Sequence, residues 1–159
     1  MSEGRKPTAA QARRMRTAAR LYAVQALFQM EAAGAGLETV IEEFETHRLG
    51  AVIDGVRLND ADLAHFRLLV SEAVARQARI DQMTQRALAA RWPIDRIDPT
   101  LRALFRAAGA ELAAMDTPPK VVITEFVDVA KAFFPEGKEP KFVNAVLDHM
   151  AREAKPSAF

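Results

Sequence analysis

Arg13, Arg16 and Arg20 recur at three- and four-residue steps, so a continuous helix of 3.6 residues per turn places them on one face. Arg14 stands about 100° from Arg13 around the same axis and widens the strip. Arginine suits phosphate because its planar fork donates two parallel hydrogen bonds and is cheaper to desolvate than an ammonium. With Arg5 and Lys6, these residues put six of the chain's 22 basic side chains in its first 20 positions, against the single acid Glu3. The rest of the chain carries 16 basic and 20 acidic residues, a formal charge of −4. Such a polarised start is the footprint of a segment that meets phosphates, and nucleic acid is the first partner it implies. The plainer reading is a solvated lead-in that serves only solubility.

A second locus lies near the other terminus. Lys138, Lys141 and Phe142 stand at the beginning of the last helical pattern, where unpaired backbone N–H groups and the positive end of the helix dipole favour an anion. A phenylalanine between lysines can stack on an unpaired base, for roughly 1–3 kcal/mol. Alternatively, Phe142 packs on Val146 four residues later and closes the core.

Other chemistry finds little support. His47, His65 and His149 lack the spacing of a metal pair, and no metal ligand set is expected. Glu42, Glu43 and Glu45 read as a solvated helix face rather than a ligand cluster. There is no glycine-rich phosphate loop and no nucleophile elbow. With no cysteine, disulfides and thiolate chemistry are excluded. Neither an enzyme nor a cofactor is indicated.

The elements that must carry these residues are helical. The 159 residues, half of them hydrophobic and 27% charged, suffice for one soluble domain that buries roughly two-thirds of its unfolded surface. The first helix is expected over about 8–32, capped by Thr8 and ended by Gly34 to Gly36, with Leu21, Val24, Leu27 and Phe28 as its buried stripe. A second runs from Leu37 to about His47 with Val40, Ile41 and Phe44 inward, and Leu49 to Arg57 reads as a loop. Asn59 or Asp60 caps a third, carrying Leu63, Phe66, Leu69, Val70, Val74 and Ile80. Asp81 starts or continues a run to Trp92, where Pro93 stops it. Asp98 before Pro99, and Thr117 before Pro118 and Pro119, repeat a cap-then-proline start signal.

Leu101, Leu104, Phe105 and Leu112 line one of those helices, and Val122, Phe126, Val129, Ala130 and Phe133 the other. Val143, Val146, Leu147 and Met150 line the last helix, beyond which Lys155 to Phe159 is expected to fray. The class is therefore all-α, with about seven helices and no strands. The division expected is a basic lead-in over 1–12, a helical domain over 13–154 and a tail over 155–159. No run reaches the roughly 20 apolar residues of a membrane span, and a cytoplasmic location is expected. An Arg-rich amphipathic start is also the composition of a mitochondrial-type presequence.

Several segments together carry a resemblance. Arg13-Arg14-Met15-Arg16, Ala23-Val24-Gln25-Ala26-Leu27-Phe28, Pro119-Lys120-Val121 through Glu125, Ala130-Lys131, and Lys141-Phe142-Val143-Asn144-Ala145-Val146-Leu147-Asp148 occur in this order. In that combination the chain resembles the NusB family of bacterial transcription antitermination factors. The resemblance implies two small helical bundles in one domain, with the arginine-rich start beside the last helix. It also implies binding of boxA-type single-stranded RNA in ribosomal RNA leaders together with NusE, a small-subunit ribosomal protein. Other Nus factors and RNA polymerase would be indirect partners, and either a monomer or a homodimer is compatible with it. By position, Arg13, Arg14, Arg16, Arg20, Lys138, Lys141 and Phe142 match the family's RNA-binding segments. Phe28 and Asp98 match partner-facing positions. A similar domain opens some ribosomal RNA cytosine methyltransferases, whose catalytic domain would need a cysteine and a cofactor loop that this chain lacks. A helical protein-interaction module is the remaining alternative.

Overall fold

A computed structural model describes residues 8–47, 52–53, 56–57, 61–88 and 93–159. Its α-helices are α1 (Ala9–Ala33), α2 (Leu37–His47), α3 (Leu63–Ala75), α4 (Gln77–Leu88), α5 (Pro99–Ala114), α6 (Pro119–Phe133) and α7 (Glu139–Ala154). Single 3-10 turns occupy Ile94–Arg96 and Pro156–Ala158. The all-α class holds, with one departure. Where a loop was expected, Val52–Ile53 (β1) and Val56–Arg57 (β2) form a two-residue antiparallel pair, Val52 opposite Arg57 and Ile53 opposite Val56.

The helices begin and end for local reasons. Thr8 and Gln11 form a reciprocal capping box, the Thr8 hydroxyl accepting from the Gln11 N–H at 3.1 Å and the Gln11 side chain from the Thr8 N–H at 2.8 Å. Gly34 ends α1 in the left-handed region at φ 66°, which a residue with a Cβ adopts only at a cost. Asp98 caps α5, accepting from the Thr100 N–H at 2.7 Å, with Pro99 in the first turn.

Two other caps differ from expectation. Asn59 and Asp60 lie outside the described residues, as does Trp92, and Asp62 caps α3 by accepting from the His65 N–H at 2.9 Å. Pro118 rather than Thr117 occupies the N-cap of α6 and supplies no side-chain bond. Two successive prolines already fix the backbone for helix entry, so a capping hydroxyl is dispensable there.

At the centre lies α5, buried on almost every side. Its residues from Leu101 to Phe105 and from Ala107 to Leu112 are all inside, a pattern fit only for a central helix. Around it pack α1, α2 and α3 as one group, with α1 and α3 touching it directly, and α4, α6 and α7 as another. One continuous apolar core joins both groups. The expected stripes of α2, α6 and α7 point inward, while two apolar residues do not. Phe28 is 38% exposed and Leu63 47% exposed. Phe28 lies just beyond the edge of the α1 stripe set by Val24 and Leu27, and Leu63 is the first residue of α3, where the helix has not yet reached the core.

Beyond α7 the chain is held. The Lys155 ammonium donates to the carbonyl oxygen of Met115, and the Arg152 guanidinium lies 4.5 Å from the centre of the Phe159 ring. Two contacts thus link the tail to the helical body.

Candidate nucleic-acid interface

The capping box starts α1 early enough to place the arginine strip on formed helix. Arg13 and Arg14 are exposed and Arg16 is half-buried. They line a cleft of about 960 Å³ whose opposite wall is the beginning of α6, with Thr117, Pro118, Lys120, Val121 and Thr124. None of the three arginines forms an ion pair or side-chain hydrogen bond with a described residue. By contrast Arg67, Arg76, Arg86, Arg102, Arg106 and Arg152 each hold a carboxylate. Cations left without counter-charges on a concave wall raise the local potential and attract an anion.

Arg20 continues the same helical spacing and lines the inner end of the cleft, where it is almost wholly buried. It is 2% exposed, and its guanidinium grips Glu111 through two bonds, Nε to Oε1 at 2.8 Å and Nη2 to Oε2 at 2.7 Å. A third bond, at 2.6 Å, reaches Glu125 Oε1. Three of its N–H donors are thus committed to carboxylates and little of the side chain reaches solvent, so it is less available to a phosphate than Arg13, Arg14 and Arg16. The reason is depth along α1, since the helix enters the core at Ala19.

Burial works to raise the pKa of Glu111. The Arg20 hydrogen bonds, the neighbouring His65 and the Arg20 charge outweigh it and hold the carboxyl at about 2. His65 Nε2 approaches Glu111 Oε1 at 3.4 Å, without the geometry of a hydrogen bond. Burial likewise opposes the Arg20 charge, and its two carboxylate partners overcome that and raise its pKa.

The second locus lies elsewhere. Residues 10–20 of α1 face 117–125 of α6, while Phe28 near the other end of α1 faces Phe133 at the end of α6, so these two helices run parallel. Lys138 and Lys141 follow the far end of α6, whose 15 residues span about 22 Å. Among the described residues, the helices packed most extensively against α1 are α2, α3, α5 and α6. The arginine strip therefore faces the beginning of α6, while Lys138 and Lys141 follow its far end.

At that far end, Lys138 and Lys141 are exposed, and Phe142 is half-buried with its ring 6.1 Å from that of Phe105 in an edge-on contact at 65°. Phe142 therefore serves the core through Phe105, and its open side lines a hollow of about 330 Å³ with Arg96, Asp98, Leu101, Lys138 and Glu139. Next to it, Phe28 lines a second hollow of about 360 Å³ with Gln25, Ala32, Thr100 and Phe133. The start of α5 forms part of both walls, through Asp98 and Leu101 on one side and Thr100 on the other. Asp98 thus lines one hollow with Phe142 and Lys138, and Phe28 lines a separate one. Arg96 lines the first of these hollows without having been singled out from the sequence, and Lys120, on the cleft, entered only as part of the Pro119-Lys120-Val121 resemblance, with no role assigned. Neither sits at a spacing that marks a ligand site by itself, and each joins its site through the packing of separate helices.

The NusB family model matches residues 17–152. Relatives called transcription antitermination protein NusB include one from Brucella abortus, 49% identical over 149 residues, covering 89% of this chain and 86% of its own. Another, from Maricaulis maris, is 48% identical over 147 residues, covering 92% and 91%. Among solved structures, NusB of T. maritima superimposes with a TM-score of 0.69 at 29% identity, covering 90% of this chain and 95% of that one. A crystal structure of the antitermination factors NusB and NusE in complex with double-stranded RNA matches with a TM-score of 0.68 at 26% identity, covering 86% and 96%. A family model over most of the chain, relatives at nearly half identity and solved structures of the same fold agree: the chain belongs to the NusB family.

Proposed function

We propose that this protein is a transcription antitermination factor that binds boxA-type RNA of nascent ribosomal RNA leaders together with NusE, and so helps RNA polymerase resist termination. The observation that carries the proposal is the set of Arg13, Arg14 and Arg16, which have no ion pair with a described residue and stand on a cleft, while most other described arginines hold carboxylates. They neutralise backbone phosphates, which fixes the position of the strand without reading its sequence. Lys138 and Lys141 attract the strand at the second locus, and the open side of Phe142 meets an unstacked base. NusE docks on the adjoining surface of Phe28 and Asp98, where an exposed ring beside a shallow apolar hollow favours a protein partner. The protein works as a binding adaptor with no catalytic step. No helix among the described residues is long and apolar enough to cross a membrane, and the proposed task is a cytoplasmic one.

A titration of boxA-type and scrambled RNA, with and without NusE, at two salt concentrations tests this reading. Log affinity is expected to fall with log salt by roughly 0.7 per neutralised phosphate on a single strand. Replacing Arg13, Arg14 and Arg16 together by alanine is expected to weaken binding and flatten that slope. Binding that ignored salt and survived the triple replacement would overturn the proposal.

A further inference from the structure

We infer that Lys120, on the α6 wall of the cleft, is a backbone-phosphate contact, so that the RNA strand lies between α1 and α6 rather than across α1 alone. The inference rests on the RNA-binding reading above and names a second wall for the same site.

Three observations carry it. Lys120 is exposed and lines the cleft opposite Arg13, Arg14 and Arg16, and it forms no ion pair or side-chain hydrogen bond with a described residue. Glu125 is the one acid among the described residues lining the cleft, and its Oε1 is already held by Arg20 at 2.6 Å and by the Thr17 hydroxyl at 2.7 Å. Val121, beside Lys120 on the same wall, is 44% exposed, apolar surface that the sugar of a bound strand would cover. Positive charge on both walls of a concave site focuses the potential between them. A phosphate seated there meets arginine forks from one side and a lysine point charge from the other. Lys131, also exposed on α6, lies outside the cleft and has Asp128 at 3.8 Å, which makes it the natural control.

The test is a salt titration of boxA-type single-stranded RNA against the full chain and its Lys120→Gln, Lys120→Arg, Lys131→Gln and Arg13→Gln variants. Lys120→Gln is expected to flatten the slope of log affinity against log salt by about 0.7, which at about 0.15 M salt is roughly a fourfold loss of affinity. Lys120→Arg is expected to keep the slope and Lys131→Gln to leave it unchanged, with the thermal midpoint unaltered in all of them. If Arg13→Gln flattens the slope while Lys120→Gln matches the parent chain, the α6 wall is refuted and the arginine strip stands. An equal effect from Lys131→Gln would also overturn the inference, because the loss would then follow net charge rather than the cleft. A parent chain whose binding ignores salt would overturn the RNA reading itself, and this contact with it.

Discussion

Arg13, Arg16 and Arg20 share a residue type, a helical phase and a cleft, yet two stand open on it and the third is buried at its inner end. Spacing reports the face of a helix; it does not report where along the axis the neighbours begin. The missing signal was Glu111, a lone acid amid the apolar run of α5, which a buried arginine must neutralise. Because Glu111 is held at about 2, below its ordinary 4.5, its contribution to stability is complete above about pH 4.5 and is lost as pH falls towards 2. A displacement of that size corresponds to something on the order of 3 kcal/mol. Glu111→Gln strips Arg20 of its main partner and is expected to destabilise the fold by about 3–5 kcal/mol at neutral pH. The gap between variant and parent, followed by urea unfolding at a series of pH values, should narrow as the parent carboxylate protonates below pH 4.5. A gap that stayed constant down to about pH 2 would show that the Arg20 pairing is not what holds this carboxylate ionised.

Among the elements, those with both a period and a chemical boundary were legible: α1 between Thr8 and Gly34, α5 behind Asp98 and Pro99, and the inward stripes of α2, α6 and α7. What escaped was the fine structure of the ends. Asp62 caps α3, and α4 begins at Gln77, so Asp81 stands inside it and binds Arg106 of α5 through two bonds at 2.9 and 3.0 Å. Gly109 was equally silent in sequence, because a helical glycine announces only a weak helix position. Its role lies in packing: a Cβ added there would come within 2.4 Å of Ile80 Cγ2 on α4 and 3.3 Å of Met150 Cε on α7. Ile80 is fully buried and β-branched, so its methyl cannot swing aside cheaply. Gly109→Ala would gain up to about 1 kcal/mol of helix propensity on an exposed helix. Here overpacking costs about 1–3 kcal/mol, and a net loss of about 1 kcal/mol is expected in denaturant unfolding. A more stable variant would mean that α4 and α5 can separate without penalty.

For the molecule as a whole, the class was written in the sequence, but the neighbours of each helix were not. Periodicity gives every helix an apolar face and says nothing about which face it meets, so α1 beside α6 emerges only from packing around α5. That arrangement has a functional consequence. The arginine cleft and the Lys138–Lys141 locus lie at opposite ends of α6, about 22 Å apart along its 15 residues. Sites that far apart with no shared partner contribute independently, to within about 0.5 kcal/mol. Replacing Arg13 and Arg16 by glutamine and replacing Lys138 and Lys141 by glutamine should therefore give losses of log affinity that add in the fourfold variant. The same geometry predicts a length effect. An oligonucleotide too short to span α6 can occupy one end at a time, and substitutions at the unoccupied end should leave its affinity unchanged. Titrating a nested series of boxA-type oligonucleotides against the two double variants measures both effects. Full sensitivity to both ends in the shortest oligonucleotide that binds would mean that the loci converge on a single point of contact, contrary to the parallel packing of α1 and α6.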